Sequence, residues 1–146
     1  PTKNSRSNSW GKAQEFYDRF KDNNFVKAYP CYKGCVLKCG RKAKVDSGQW
    51  QTPEHGGAEY ETMSSFTAYI MNEDVDAAVH AGYLCNEYGI DTISTGAAIA
   101  FAMDCYDSEI ITTKEAEIRI GRFLFRVLEV SSTKIDLVSL EILESD

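Results

Sequence analysis

Histidine, proline and long apolar runs are scarce in this sequence, and each scarcity excludes a class of protein. With 2 histidines among 146 residues, no serine–histidine–aspartate or cysteine–histidine pattern of a hydrolase can be recognised. With 10 glycines and 3 prolines, collagen-like and low-complexity chains are excluded. No stretch approaches the roughly 18 apolar residues of a membrane helix, and the polar N-terminus has no apolar signal core. We therefore expect a cytoplasmic protein without membrane contact.

The charge balance excludes nucleic-acid-binding proteins. The sequence has 16 lysines and arginines against 22 acidic residues, a net charge of -6, whereas phosphate contacts require a broad basic face. The apolar fraction of 43% is enough for one hydrophobic core. We therefore expect a single domain or fragment over residues 1–146. Because the chain begins at Pro1 rather than at a methionine, we also expect it to be part of a longer protein.

Helical periodicity dominates the first 107 residues. Apolar residues recur at helical spacing in residues 10–22, 72–88 and 95–107. Residues 25–41 and 46–57 contain glycine and proline and are predicted to be loops, while after residue 115 an alternating pattern fits either a hairpin or a helix. The predicted fold class is mainly α: a helical domain with an irregular cysteine-bearing loop and room for a short β segment at the C-terminus.

Three of the five cysteines, Cys31, Cys35 and Cys39, lie within nine residues. Residues 31–45 also contain five cations and no acid, and cations stabilise thiolates. The odd cysteine count and the lack of a secretory signal argue against disulfides. Three near-consecutive thiolates with a distant fourth ligand are typical of an iron–sulfur cluster. Zinc is the second alternative, because the usual separated ligand pairs are absent, and a cofactor-free basic loop is the third.

Four blocks of sequence follow one another along the chain. They are Cys-Tyr-Lys-Gly-Cys-Val-Leu-Lys-Cys-Gly-Arg from Cys31, Gly-Ala-Glu-Tyr-Glu-Thr from Gly57, Leu-Cys-Asn-Glu-Tyr-Gly-Ile-Asp-Thr-Ile-Ser-Thr-Gly from Leu84, and Ala-Phe-Ala-Met from Ala100. Together they resemble the tungsten-containing aldehyde:ferredoxin oxidoreductases. The resemblance covers residues 1–111 and leaves residues 112–146 as a divergent tail. Members of that family are several times longer, so the chain would correspond to a middle helical portion.

The resemblance implies that the cysteine loop belongs to an enzyme that oxidises aldehydes to carboxylic acids. In this family the clustered cysteines bind a 4Fe-4S cluster, which passes electrons between a bis-pterin tungsten (or molybdenum) centre and ferredoxin. Three residues separate the first two cysteines here, where the family usually has two, so the loop must bulge. The fourth cluster ligand is expected from the remaining domains or a companion chain, and the isolated chain is expected to be inactive.

The resemblance also implies which residues contact the pterin and the substrate. The family's catalytic carboxylate falls on Glu61, with Glu59 as its neighbour. A carboxylate beside an oxidised metal centre can accept a proton when water attacks an aldehyde carbon. Asparagine replaces the usual aspartate at the first of four positions in the family's pterin-contacting pattern. These positions are Asn86, Gly89, Ile90 and Asp91.

Two other functions stay open on the sequence. One is a small iron–sulfur or metal-binding electron-transfer module that works without pterin, and the other is a structural or interaction fragment without a cofactor. Residues 95–107 are apolar on nearly every face, and a domain of this size with two further helices has little surface to cover them. We therefore expect a homo-oligomer or dependence on a missing partner.

Overall fold

The computed structural model describes residues 2–3, 6–57, 59–111, 117–120, 123–131 and 134–142. Two compact units are present, Pro1–Ala97 and Ala98–Asp146. No helix in the described ranges has the length and apolar character needed to cross a membrane. The elements, in chain order, are α1 (Ala13–Asn23), β1 (Phe25–Tyr29), β2 (Gly40–Val45), β3 (Thr52–Gly56), α2 (Tyr60–Phe66), α3 (Val75–Tyr88), α4 (Thr92–Asp107), β4 (Glu117–Ile120), β5 (Phe123–Ser131) and β6 (Lys134–Ile142).

The first unit is built around helix α3. This helix contacts α1, α2, β2 and β3, so its apolar side faces the centre of the unit. Val75, Ala78 and Val79 are each exposed by 2% or less. Burial of such aliphatic side chains stabilises the fold by roughly 1.5–3 kcal/mol for each valine. The core also contains residues from the neighbouring elements: Phe16, Phe20, Ala43, Val45, Met63 and Phe66.

A three-stranded antiparallel sheet of order β1-β2-β3 covers a stretch that the sequence predicted to be loop. That prediction was wrong for β1, for β3 and for Gly40 and Arg41 at the start of β2, whereas residues 42–45 had been assigned to no element. In β2, Ala43 and Val45 are buried while Lys42 and Lys44 are half-buried, which is the alternation of a strand with one covered face. Pro53 lies in β3, an edge strand, where the missing backbone N–H does not interrupt the pairing with β2.

The three predicted helices are present, with different starts. Helix α1 begins at Ala13 rather than at residue 10. Helix α3 begins after Asp74, whose carboxylate accepts a hydrogen bond from the backbone N–H of Ala77. Asn72, the first residue of the predicted helix, lies before α3 and donates through its side chain to the carbonyl of Phe66. Helix α4 begins at Thr92, three residues before its expected start.

Described by itself, the second unit contains an antiparallel sheet of order β4-β5-β6. Strands β5 and β6 pair from Phe123 opposite Ile142 to Ser131 opposite Lys134. The alternating C-terminal pattern therefore forms strands rather than a helix. The mainly α prediction is confirmed only in part, because four helices are accompanied by two small sheets in the described part of the chain.

Candidate functional site

The cysteine loop, residues 30–39, connects β1 to β2. Its base is fixed where Tyr29 pairs with Gly40, and Gly34 adopts a positive φ of 97° inside it. Cys31, Cys35 and Cys39 all have free thiols; the first and last are exposed and Cys35 is half-buried. The sheet therefore presents three reduced sulfurs on one loop.

Cys35 is the thiol with an electrostatically altered environment. The backbone N–H groups of Lys38 and Leu37 donate to its sulfur, and these hydrogen bonds, together with one from Cys31, lower the pKa of Cys35. Hydrogen bonds to the charged form favour a thiolate, which is the metal-binding form of cysteine. No group of three or more His, Cys, Asp or Glu side chains in the described ranges is arranged to hold a metal ion. A shared site for all three sulfurs stays a prediction.

Two of the five cations in residues 31–45 form ion pairs with acidic residues in or next to the first sheet. Lys42 lies 2.9 Å from Glu54, and Lys44 lies 2.6 Å from Asp46. The hydrogen bond from Lys42 lowers the pKa of Glu54. These cations therefore join β2 to its surroundings, and the cations on the cysteine loop itself are exposed: Lys33 and Lys38.

The segment with both candidate glutamates forms the start of α2. Glu59 occupies the N-cap position with extended backbone, and Glu61 is exposed in the first turn. The following residue, Thr62, is buried and its hydroxyl lies 2.8 Å from the hydroxyl of Thr92 at the start of α4. Ser65 donates to the carbonyl of Thr92 over 3.2 Å. These hydrogen bonds hold the Glu61 helix against the start of α4.

The four residues to which the resemblance assigns pterin contacts lie where α3 ends and α4 begins. Gly89 is the left-handed cap of α3, with φ 66°, which glycine adopts without steric cost. The backbone N–H of Ile90 donates to the carbonyl of Cys85 over 2.9 Å. The left-handed glycine and this hydrogen bond end α3, and the chain enters α4 two residues later.

The side chains of Asn86 and Asp91 both form hydrogen bonds within the fold. The amide of Asn86 donates to the carbonyl of Gly56 over 2.6 Å, which joins the end of α3 to the end of β3. Asp91 accepts a hydrogen bond from the backbone N–H of Ser94 over 2.6 Å, and the hydrogen bonds from Ser94 lower the pKa of Asp91. Both residues are exposed, so each has further polar atoms available to a ligand.

Several residues that align this junction were not singled out from the sequence. Thr62, Ser65 and Thr92 form the hydrogen bonds between α2 and α4. The backbone N–H of Gly57 also donates to the carbonyl of Arg41 over 3.0 Å, just after the cysteine loop. The sequence offered only one indication of their role, which is that Thr62 directly follows Glu61 and Thr92 directly follows Asp91. The order of the sequence blocks also predicts that Glu61, Asn86 and Asp91 lie along one polar edge, and this stays a prediction.

Comparison with known proteins gives one consistent result. Residues 1–128 match a protein family described as aldehyde ferredoxin oxidoreductase, domains 2 and 3. The match extends past residue 111, where the sequence resemblance was expected to end. It includes the cysteine loop and the whole α2–α3–α4 junction.

Individual relatives agree with this match. The tungsten-containing aldehyde ferredoxin oxidoreductase of Pyrococcus furiosus is 34% identical over 90 residues, 62% of this chain. That of Thermococcus kodakarensis is 34% identical over 93 residues, with the same coverage. The WOR-like subunit of an aliphatic sulfonate oxidoreductase from P. furiosus is 24% identical over 96 residues, 66% of this chain and 15% of that protein. The chain spans only 14% of the length of the first two relatives.

Proposed function

The chain belongs to the aldehyde ferredoxin oxidoreductase family, and from this premise we propose that it supplies cluster ligands and part of a pterin pocket to a tungsten-containing oxidoreductase. The cluster is a 4Fe-4S cluster, and tungsten could be replaced by molybdenum in the bis-pterin centre. The proposed reaction is the oxidation of an aldehyde to a carboxylic acid in the cytoplasm, with electrons passed to ferredoxin. The observation that carries the proposal is the cysteine loop, with three free thiols between two paired strands.

The three loop cysteines have the donor chemistry of an iron–sulfur cluster, although the described residues do not group them at one metal site. Such clusters are held by cysteine thiolates, and hydrogen bonds to sulfur tune their potentials. Backbone N–H groups of Leu37 and Lys38 already donate to Cys35 and lower its pKa. Three thiols leave one ligand to come from elsewhere, which the remaining domains or a companion chain would provide.

The carboxylates of α2 fit the proton transfer that the reaction requires. When bound, the metal–pterin group would accept the electrons removed from the aldehyde. Glu61 is exposed at the start of α2, where its carboxylate can take the proton released as water attacks the aldehyde carbon. Glu59 lies one residue before the helix and adds a second negative charge near that position. Thr62 anchors this helix by its hydrogen bond to Thr92.

Anaerobic reconstitution with iron and sulfide tests the cluster. We expect the visible absorption of an iron–sulfur cluster in the wild-type chain and its loss in Cys35→Ser. Cys31→Ser and Cys39→Ser should each bind less iron. The matched control is Cys105→Ser, which removes a half-buried thiol outside the loop and should keep the absorption. An excess of small-molecule thiol in the mixture takes the place of the fourth ligand. An uncoloured wild-type chain under these conditions, or equal iron in wild type and Cys35→Ser, would contradict the proposal.

A second candidate function is favoured by one observation at the helix junction. The amide of Asn86 and the carboxylate of Asp91 are both engaged within the fold, which suits a small electron-transfer module that binds no pterin. Metal and pterin analysis of anaerobically purified chain separates the candidates. Tungsten or molybdenum with pterin supports the oxidoreductase, and iron alone supports the module. The absence of every cofactor supports a structural or interaction fragment.

A further inference from the structure

The first unit contains a cavity that the proposed function does not use. Its volume is about 490 Å³, within the range of pockets that bind small organic molecules. It lies between α1, α2 and the residues that precede α1. Its wall is mainly aromatic and apolar, and is formed largely by Trp10, Phe16, Tyr17, Phe20, Tyr60 and Met63.

Trp10 gives this wall an unsatisfied hydrogen-bond donor. Its indole nitrogen is buried and has no hydrogen-bond partner among the described residues. Buried indole N–H groups ordinarily have an acceptor. The ring is held against Phe16, with centroids 5.5 Å apart. A ligand that brings an acceptor atom to Trp10 would therefore complete an interaction that the described residues leave open.

Arg41 brings positive charge to the same wall. Its guanidinium carbon lies 5.9 Å from the centre of the Phe20 ring, and both residues line the cavity. The backbone of Arg41 is fixed in β2, where it pairs with Ala28 of β1. Arg41 also has a partner within the fold, but a guanidinium has five planar N–H donors that match the geometry of a carboxylate, so it can face an anionic ligand as well.

We propose that this cavity binds an aromatic carboxylate. The rings of the ligand lie against the aromatic wall, where ring pairs are favoured in tilted and offset arrangements. Its carboxylate accepts a hydrogen bond from the Trp10 indole and faces Arg41. A two-ring acid suits the volume better than a single short chain. The site needs neither the cluster nor the pterin, so it stands apart from the proposed function.

Isothermal titration calorimetry of the 146-residue chain with 2-naphthoate tests the proposal. We expect saturable binding at one site. Trp10→Phe keeps an aromatic ring, though a smaller one, and removes the N–H, while Arg41→Gln removes the charge, so each should weaken binding about tenfold or more. Ser64→Phe places a ring in the cavity and should abolish binding. Glu87→Ala changes an exposed residue of α3 outside the cavity wall and should bind as the wild type does.

Two further measurements keep the result interpretable. Circular dichroism establishes that each variant is folded, and Arg41→Met, which also removes the charge, replaces Arg41→Gln if the latter is unfolded. Naphthalene-2-methanol, with the same rings and no charge, should bind more weakly than 2-naphthoate. The proposal is overturned by absent binding at millimolar 2-naphthoate, by unchanged affinity in folded Trp10→Phe, or by binding that persists in folded Ser64→Phe.

Discussion

Substitution of Gly96 by alanine should force apart α2, which carries Glu61, and the start of α4, which directly follows Asp91. A Cβ atom built at Gly96 would lie 2.5 Å from the Cβ of Ser65, 2.7 Å from its carbonyl oxygen and 2.8 Å from its carbonyl carbon. Two of these three atoms belong to the backbone, so rotation of a side chain cannot relieve the contact. Gly96→Ala must therefore move α4 away from α2 and strain the hydrogen bond between Ser65 and Thr92.

The magnitude follows from two opposing effects. Overpacking in a well-packed interior costs about 1–3 kcal/mol, and backbone contacts place this site near the upper end. Alanine is favoured over glycine inside a helix by about 1 kcal/mol. The net loss in the free energy of unfolding is therefore about 2 kcal/mol. In a unit of this size each 1 kcal/mol shifts the melting temperature by about 4–8 °C, so we expect a decrease of roughly 8–16 °C.

Thermal unfolding followed by circular dichroism measures this effect. The matched control is Gly11→Ala, because a Cβ built at Gly11 has nothing within 4 Å. The control should change the free energy of unfolding by no more than about 0.5 kcal/mol. An unchanged or higher melting temperature for Gly96→Ala would refute the close approach of α2 and α4.

Three other predictions concern the same chain. Asp91→Ala should lower the melting temperature near neutral pH, because hydrogen bonds from Ser94 hold the pKa of Asp91 below its ordinary value. That stabilisation is lost as pH falls through the folded-state pKa, so the melting curves of variant and wild type should converge below about pH 4; a constant difference contradicts this. Iodoacetamide should alkylate Cys35 before Cys85, because N–H donors from Lys38 and Leu37 lower the pKa of Cys35 and burial raises that of Cys85; mass spectrometry gives the order, and equal rates oppose it. Phe101→Glu should convert a self-associated wild type to monomer in sedimentation velocity, because Phe101 is 64% exposed on α4; unchanged sedimentation would remove Phe101 from any self-contact.

The helices were predictable because the helical spacing of apolar residues can be read from the sequence alone. Their first residues depend instead on which of several neighbouring side chains caps the helix. Asn72 and Asp74 are both good N-cap residues. In the structure Asp74 is the cap, because its carboxylate accepts the hydrogen bond from the backbone N–H of Ala77. The side-chain N–H of Asn72 donates to the carbonyl of Phe66. Asn72 also accepts from the backbone N–H of Asp74 over 2.9 Å and so positions the actual cap. No spacing rule within the sequence distinguishes these two arrangements.

The first sheet was missed because its strands are only five or six residues long and β2 carries two lysines and an arginine. In β2 the apolar period is carried by only Ala43 and Val45, with cations between them. Such a pattern is equally typical of a solvated basic loop. Contacts outside β2 itself decide the structure. Val45 donates through its backbone N–H to the Thr52 hydroxyl, and α3 packs against β2 and β3. The cysteine loop itself was predictable, because clustering of thiols is a property of the sequence alone.

Asn86 stands where the resemblance implies an aspartate, and the hydrogen bonds of this fold favour asparagine at that position. The side chain of Asn86 donates to the carbonyl of Gly56 over 2.6 Å, and a Cβ at Gly57 would lie 3.3 Å from the same nitrogen. An ionised aspartate has no donor and would face the Gly56 carbonyl with oxygen against oxygen. Asparagine therefore joins the end of α3 to β3, and β3 pairs with the strand that leaves the cysteine loop. Its carbonyl oxygen and second N–H stay available for a ligand. In the proposed pterin pocket, Asn86 would therefore offer only those remaining amide atoms, without the negative charge that aspartate would supply.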